Sequence, residues 1–482
     1  MAPNESKQFL QKDCVNTRIV DNNSSWILYL SAFSADLLWV FMGSIMVWPS
    51  SVLPKLMSNN TDVNPLGRPI TTLEASCIVS STPFSVIFGL LIASIPADII
   101  GRKKTLLSYT TILFCSITTI AFARNTYIYY FCFCCVGITF AGIFINVVIY
   151  NTEIADDKNR AWLSCCVSLG LPVGQLYSFV LGASIQSVKI FFLLTTIPGI
   201  IHFLLYNFTV ESPIYFIIKN DKTLAIESLK KLRNFDDFID TEYKSMEEFF
   251  TTHGNKKAKF LNLLKTNKSR KAFFLSLLLI YTQQMSGINV LFAYLGLIFN
   301  EAGATLSGNE VGIIAGSVNL TTVLILIFII NKFGRRPLML ISSFSCSISL
   351  LSIAFYFFLK EKHSTFIDSI RWLPVLSIIL FILSYGLGLG SIPMGYIGEL
   401  FSNELRATGV SAAFMLAAVV SSVFDFGFPL LSESLGIYFC LFMFSSATFI
   451  GFVLLYICLP ETRGKSFNEI QNMLDTKKTM IV

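Results

Sequence analysis

The chain has 482 residues, of which 54% are apolar and only 14% are charged, and its formal net charge is +6. Average soluble domains carry roughly 25% charged residues, so the composition excludes an ordinary soluble protein. The basic residues do not indicate a nucleic-acid partner, because they gather in short segments between long apolar runs, as in membrane proteins.

Twelve runs without Asp, Glu, Lys or Arg follow one another along the chain, with single interruptions at Asp36 and Asp425. They are 22–54, 75–97, 105–123, 125–152, 161–188, 190–210, 272–300, 311–331, 337–359, 372–398, 407–432 and 434–460. A helix needs about 20 apolar residues to cross a bilayer, whereas β-barrel strands are shorter and alternate in polarity. Helices satisfy their own backbone in lipid. The runs therefore predict an all-α polytopic membrane protein with twelve transmembrane helices.

The positions of Lys and Arg predict the orientation of the chain. Twelve spans place both termini on one side, and most basic residues, including GRKK at 101–104 and GRR at 334–336, fall on that side. Because cytoplasmic loops are enriched in Lys and Arg, we expect both termini to be cytoplasmic. We expect no cleavable signal peptide, since the first apolar run is too long for one. Asn59 in NNT then lies in an outward loop, and we predict its glycosylation.

The sequence offers no set of residues typical of catalysis, of a metal site or of a cofactor site. The eleven cysteines lie mostly within apolar runs, where a small buried residue is the simplest interpretation. The three histidines, His202, His253 and His363, lie in different regions. We therefore expect neither an enzyme nor a bound metal or cofactor.

Loops after the second, fourth and sixth spans resemble those after the eighth, tenth and twelfth. The pairs are ADIIGRKKTLLS (97–108) with NKFGRRPLMLIS (331–342), YNTEIADDKNRA (150–161) with YIGELFSNELRATG (396–409), and VESPIYF (210–216) with PETRGKSF (460–467). Such an internal repeat predicts two related six-helix halves. The expected domains are a cytoplasmic N-terminal tail (1–21), a first half (22–210), a cytoplasmic helical linker (211–271), a second half (272–460) and a cytoplasmic C-terminal tail (461–482).

These loops, together with QQMSGIN (283–289) and PETRGKSFNEI (460–470), resemble the sugar porter family of the major facilitator superfamily, whose repeats are related by an axis along the membrane normal. WPSSVLPKL (48–56) and NPLGRPIT (64–71) are similar to insect facilitated trehalose transporters. The resemblance implies facilitative transport of a neutral sugar, trehalose or a hexose, by alternating access in the plasma membrane. It implies a sugar and the lipid bilayer as partners and leaves the oligomeric state open.

The resemblance also implies an intracellular charge network that gates the cytoplasmic side by pairing between the halves. The matching residues are Arg102, Lys103, Glu153, Arg160 and Glu211 in the first half, and Arg335, Arg336, Glu399, Arg406 and Glu461 in the second. Alternatively, the basic residues only anchor helix ends, but a Glu and an Arg seven residues apart in both halves favour a network. Ile214 stands where the family has Arg, and FCFCCVG (131–137) lacks the usual Arg, so the network is thinner than in relatives.

Gln283, Gln284 and Asn289 lie in the uncharged run 272–300 and share one broad face of a helix. An amide can donate and accept, as sugar hydroxyls require, although membrane amides also bond helices together. The Ser-Gly pair at 286–287 permits a bend. The resemblance adds Tyr294 and Asn319 as sugar contacts, and it places Met394 where the family has an aromatic residue, usually Trp.

Several positions depart from the family pattern. Ser168 and Ala417 stand where site amides are usual, whereas Gln175 is an amide that the resemblance does not support. Asp36 and Asp425, the acids inside apolar runs, could carry a proton or bond to neighbouring helices. Two alternatives to a facilitator therefore stay open: a non-transporting sensor or degenerate paralogue, and a proton-coupled symporter.

The tenth span contains GLGLGSIP (386–393), which makes a poor continuous helix. Glycine and proline are both unfavourable inside helices. We expect a flexible, gating segment here.

Overall fold

The computed structural model describes residues 25–60, 63–156, 159–233, 239–253, 260–303, 306–401 and 405–463, together with Lys465, Glu469 and Met473. Within these residues all regular structure is helical, apart from one isolated bridge residue at Arg233. The expected N-terminal tail (1–21) and most of the expected C-terminal tail (461–482) lie outside the described residues.

The first half is built from nine helices. They are α1 (Trp26–Met46), α2 (Trp48–Leu56), α3 (Thr72–Ile92), α4 (Ile95–Ile100), α5 (Arg102–Phe122), α6 (Thr126–Ile154), α7 (Arg160–Ser184), α8 (Val188–Thr195) and α9 (Ile197–Tyr206). Three helices and a 3₁₀ turn follow before the second half. They are α10 (Pro213–Ile218), α11 (Lys222–Leu232), α12 (Ile239–His253) and the turn Phe260–Leu264.

The second half repeats the pattern of the first. Its helices are α13 (Asn267–Met285), α14 (Ile288–Ala302), α15 (Gly308–Phe333), α16 (Arg335–Glu361), α17 (Leu373–Leu387), α18 (Ile392–Leu400), α19 (Arg406–Leu435) and α20 (Ile437–Cys458), with a 3₁₀ turn at Thr365–Ile370.

Twelve segments of the described chain are long and apolar enough to cross a membrane, which confirms the predicted number and order of spans. The first, seventh and tenth spans each consist of two helices, α1 with α2, α13 with α14, and α17 with α18. The sixth is divided in the same way between α8 and α9. An even number of spans puts segment 207–266 on the same side as both ends of the bundle. We call that side the linker side and the opposite one the far side.

Small residues let the spans of each half approach closely, as is usual between helices in membranes. In the first half, a Cβ on Gly174 of the fifth span would lie only 2.0 Å from the carbonyl oxygen of Val40 in the first. In the second half, a Cβ on Gly451 of the twelfth span would lie 2.6 Å from the hydroxyl oxygen of Thr282 in the seventh. Each half is thus a tightly packed unit.

The two halves meet along the second and eleventh spans, the fifth and eighth, and the first and seventh. Toward the far side, the backbone N–H of Gly296 donates to Ser50 Oγ at 3.0 Å, and a Cβ on Gly296 would lie 2.0 Å from the Ser50 carbonyl oxygen. Nearby, the ring of Phe179 lies against Gly312, where a Cβ would be 2.6 Å from it. At these contacts the halves leave no space for a sugar to pass.

The helices of segment 207–266 are fastened to the first half. They share a small apolar cluster of their own, and the buried Arg233 joins them to the fourth span. Its guanidinium donates to the carbonyl of Ile154, the last residue of α6, at 3.1 Å and pairs with Glu242 at 2.6 Å. Arg233 therefore satisfies one of the carbonyls that a helix C-terminus leaves free.

Candidate functional site

The seventh span is broken at the predicted place. Helix α13 ends at Met285, and α14 begins at Ile288. Between them Gly287 has a φ of 70°, a left-handed conformation that glycine adopts without steric cost. The expected bend at Ser286 and Gly287 is confirmed, and the two helix ends bring three amide side chains to the middle of the bundle.

Gln283 uses its amide to hold a second break. Its side chain is 7% exposed, and its Nε2 donates to the carbonyl oxygens of Leu389 at 2.8 Å and Gly390 at 3.3 Å. These carbonyls lie where the tenth span is interrupted between Leu387 and Ile392, as the sequence predicts. Irregular backbone in a membrane needs such internal partners, so Gln283 positions the broken spans against each other.

Gln284 and Asn289 form a half-buried pair across the break. The Asn289 Nδ2 donates to Gln284 Oε1 at 3.0 Å and to Ser421 Oγ of the eleventh span at 3.1 Å. The sequence analysis did not identify Ser421. The sequence nevertheless contains a signal for Ser421. The family pattern has a site amide at the position of Ala417, and Ser421 follows Ala417 by one helical turn, so both residues share one face of the helix.

Tyr294 and Asp425 lie deeper beside this pair. The Tyr294 hydroxyl donates to the backbone carbonyl of Asp425 at 2.9 Å, and its ring packs against Phe428. Ser421 Oγ donates to Asp425 Oδ2 at 3.3 Å. A continuous chain of hydrogen bonds thus leads from Gln284 through Asn289 and Ser421 to a buried acid.

Asn319 and Gln175 join the two halves. The Asn319 Nδ2 on the eighth span donates to Gln175 Oε1 on the fifth at 2.8 Å. Gln175 is 8% exposed. The structure therefore pairs an amide that the resemblance supports with one that it does not.

The other substituted positions offer less polar surface. Met394 is half-buried and packs against the apolar core, and Ala417 is buried. Ser168 is exposed, and its hydroxyl donates a hydrogen bond to the Ser164 carbonyl of its own helix.

Asp36 lies on the first span and accepts a hydrogen bond from Asn151 Nδ2 at 2.7 Å. One of its carboxylate oxygens is thus bonded to a neighbouring helix.

On the linker side, the charged residues of the first half form a compact cluster. Arg102 is buried, and its Nε lies 3.0 Å from Glu153 Oε2. Ser212 Oγ donates to the same carboxylate at 2.5 Å. The Glu211 carboxylate accepts the backbone N–H groups of Arg102 at 2.9 Å and Lys103 at 3.0 Å. Glu211 thus caps the N-terminus of α5, where a negative charge is favourable.

The second half repeats this cap. The Glu461 carboxylate accepts the backbone N–H groups of Arg335 at 3.3 Å and Arg336 at 3.1 Å. The guanidinium of Arg335 pairs with Glu399, and Arg336 Nη2 donates to the Tyr456 carbonyl at 2.9 Å. Both glutamates therefore act through backbone amides, which the sequence analysis did not anticipate.

The described ion pairs of this network, Arg102 with Glu153 and Arg335 with Glu399, each lie within one half. The sequence analysis expected such pairs between the halves. Arg160 and Arg406 are exposed residues at the starts of α7 and α19. The network seen here fastens spans inside each half.

Burial shapes the charge state of the cap. Outside the spans, the pKa of Glu211 is raised chiefly because burial disfavours its ionised form, and the N–H groups of Lys103, Ser212 and Arg102 partly oppose that shift. Burial therefore favours the protonated form of this capping carboxyl.

Comparisons with known proteins agree with this architecture. The family model described as "Sugar (and other) transporter" matches residues 25–474. The chain is 28% identical over 446 residues to a facilitated trehalose transporter Tret1 from Culex quinquefasciatus, covering 90% of this chain and 84% of the relative. It is 26% identical over 479 residues to a Tret1 from Bombyx mori, covering 96% and 93%. It spans about half (51%) of the Tret1 of Drosophila willistoni.

Solved structures share the fold. An inward-open structure of the xylose transporter XylE from E. coli superposes with a TM-score of 0.76 at 16% identity, covering 92% of this chain and 99% of that one. A partially occluded inward-open XylE structure gives 0.74 at 18% identity, with 92% and 100% covered. The fold is that of the major facilitator superfamily, and the relatives are transporters rather than enzymes. With a family model that matches nearly its whole length, the chain belongs to the family of sugar (and other) transporters.

Proposed function

We propose that this protein carries a neutral sugar across the plasma membrane by alternating access, with trehalose as the leading candidate and a hexose next. The observation that carries the proposal is the group of amides at the break of the seventh span. Gln284 and Asn289 are half-buried and keep donor and acceptor capacity beyond the bonds they make. The printed names of the curated relatives, facilitated trehalose transporters, support the same substrate class.

The chemistry of the site favours an uncharged polyol. Sugar hydroxyls need both donors and acceptors, and an amide supplies both without a net charge. Between 272 and 300 the seventh span contains no Asp, Glu, Lys or Arg. An anionic substrate would find no Lys or Arg among these amides, and an unpaired charge is costly in a low-dielectric interior.

Within this site we assign two kinds of role. Gln284, Asn289 and Asn319 are the proposed sugar contacts, and Met394 is the proposed apolar wall. Gln283 and Tyr294 already bond to backbone carbonyls, so they position the broken helices unless the sugar displaces those bonds. Gln175 becomes available to the sugar when the halves separate.

Access to the site alternates if the halves rock about it. The far side is packed through Gly296 and Ser50, and the proposed orientation makes the linker side cytoplasmic. On that side, the Arg102–Glu153 pair of the first half and the Arg335–Glu399 pair of the second each join spans within one half. We propose that these pairs let each half move as a rigid body. We propose that Arg160 and Arg406 belong to the same intracellular gate.

Uptake of labelled trehalose, glucose and xylose into proteoliposomes tests the proposal. We expect saturable uptake of at least one sugar. Asn289→Leu should weaken binding by roughly 1–3 kcal/mol, the cost of an unpaired buried polar group. The matched control is Gln186→Leu, which removes an exposed amide at the far end of the fifth span and should change nothing.

The non-transporting alternative gives a different result. Met394 and Ala417 replace two residues that the family uses, which favours a sensor or a degenerate paralogue. Sugar binding in detergent without flux in proteoliposomes would support the sensor. Neither binding nor flux for any sugar in the panel would overturn the sugar assignment.

A further inference from the structure

Asp425 is the buried acid at the end of the hydrogen-bond chain that begins at the sugar amides. It lies in the eleventh span, is 6% exposed, and receives a hydrogen bond from Ser421 at 3.3 Å on Oδ2. Its other oxygen, Oδ1, is buried without a hydrogen-bond partner among the described residues. A carboxylate in such a place lacks the donors that would replace water, which favours the neutral acid.

We propose that a proton on Asp425 is a second ligand of this protein, bound together with the sugar. The inference rests on the proposed function, because it names what accompanies the sugar at the same site. Acids inside membrane spans are functional candidates by default. Here the acid is joined to the proposed sugar contacts by three consecutive hydrogen bonds.

Among the residues that the structure describes, the spans packed around Asp425 place no cation beside it. Tyr294 from the seventh span bonds to its backbone and is the ionisable side chain beside it. The twelfth span (437–458) contains no acid, Lys, Arg or His. The charged residue of the second span, Glu74, pairs with Arg68. The charged residue of the tenth span, Glu399, pairs with Arg335 on the linker side. The seventh span is uncharged between 272 and 300.

Protonation changes what the site presents to a sugar. A serine hydroxyl has one hydrogen to donate. When Asp425 is ionised, Ser421 gives that hydrogen to the carboxylate and accepts from Asn289. When Asp425 is protonated, the acid itself donates to Ser421, whose hydrogen is then free for a sugar oxygen. No covalent bond is made or broken apart from the O–H of the acid, and the proton comes from water.

The direction of the coupling follows from dehydration. A sugar that fills the site removes water from the chain of hydrogen bonds, which raises the cost of a bare carboxylate further. Sugar binding therefore favours the protonated acid, and by reciprocity protonation favours sugar binding. Affinity should rise as the pH falls. With one proton per sugar it changes by at most about tenfold per pH unit.

This coupling is compatible with a facilitator. If the empty carrier can return with or without its proton, the sugar still moves down its own gradient. If it returns only without the proton, the same site makes a symporter.

Isothermal titration calorimetry on the purified full chain in detergent tests the proposal. A sugar that shows saturable uptake is titrated at pH 5.5, 6.5 and 7.5 in buffers of different ionisation enthalpy. The dependence of the observed binding enthalpy on the buffer gives the number of protons taken up per sugar. For the wild type we expect up to one proton per sugar and tighter binding at acid pH. For Asp425→Asn we expect no proton uptake and an affinity that does not change with pH.

The matched control is Asp36→Asn, which removes the buried carboxylate of the first span and should leave the proton uptake intact. Proton uptake that is absent in the wild type, or that persists in Asp425→Asn, would overturn the inference while sugar binding stands. If no sugar binds at any pH, the proposed function fails first and the inference with it. If Asp425→Asn does not fold, Ser421→Ala decides. That variant cuts the chain, and unchanged proton uptake would sink the proposal.

Discussion

Gln175 and Asn319 form a hydrogen bond that exists only when the fifth and eighth spans are together. The bond is 2.8 Å long and joins the two halves. Gln175→Leu keeps the size of the side chain and removes the acceptor, which leaves the Asn319 amide unpaired. Such a loss costs roughly 1–3 kcal/mol in a buried site. Because the cost falls only on the state in which the far side is closed, the population should move toward far-side opening by about 5–150-fold.

Hydrogen–deuterium exchange with mass spectrometry detects this shift without introduced labels. In Gln175→Leu, exchange should become faster in the far-side segments 48–56, 288–302 and 308–316, and unchanged or slower at 97–105. Gln283→Leu is the matched control, because it removes an amide that bonds to Leu389 within one half. If both variants accelerate the same far-side segments, or neither does, the bond does not hold the halves together.

Three further predictions concern the linker side and the loops. Burial raises the pKa of Glu211 in the folded protein. The stability that this carboxyl contributes is therefore fully present below its unfolded pKa of about 4.3 and is lost as the pH rises through the raised folded pKa. The melting temperature of Glu211→Gln, measured in detergent against pH, should lack this fall. Glu399→Gln should slow sugar exchange more than it weakens sugar binding, because Glu399 pairs with Arg335 away from the amides; normal exchange with lost binding would contradict it. Expression in microsomes should glycosylate the exposed Asn59 and leave Asn267 bare, and the reverse pattern would invert the proposed orientation.

The elements that depend on local sequence could be predicted. The number and order of the spans follow from uncharged length, and the breaks at Gly287 and Gly388 follow from residues that interrupt helices. These features can be predicted without knowing which spans are in contact. The same holds for the two related halves, whose loops repeat in order.

The partners of polar side chains could not be predicted, since they depend on contacts between distant spans. Asn289 meets Ser421, and Asn319 meets Gln175, across more than a hundred residues of chain. The helical period shows that Ser421 shares a face with Ala417, but not that this face turns toward the seventh span. Likewise, the family pattern only places Glu211 in a network with basic side chains. In the structure its carboxylate accepts hydrogen bonds from the backbone N–H groups of Arg102 and Lys103 at the start of a helix.

The two kinds of contact have different consequences for a protein that must switch between states. The caps by Glu211 and Glu461 and the pair Arg102–Glu153 lie inside the halves, so they move with the halves and cost nothing when these separate. The contacts that must break are those between the halves, and they include the hydrogen bonds of Gln175 with Asn319 and of Gly296 with Ser50. A neutral hydrogen bond contributes only about 0.5–1.5 kcal/mol net, so a handful of them holds one state by a few kcal/mol. A sugar that binds the two states with a comparable difference in affinity can then reverse the balance. The described charge pairs therefore stiffen each half, whereas a neutral hydrogen bond such as that of Gln175 with Asn319 can break when the halves part.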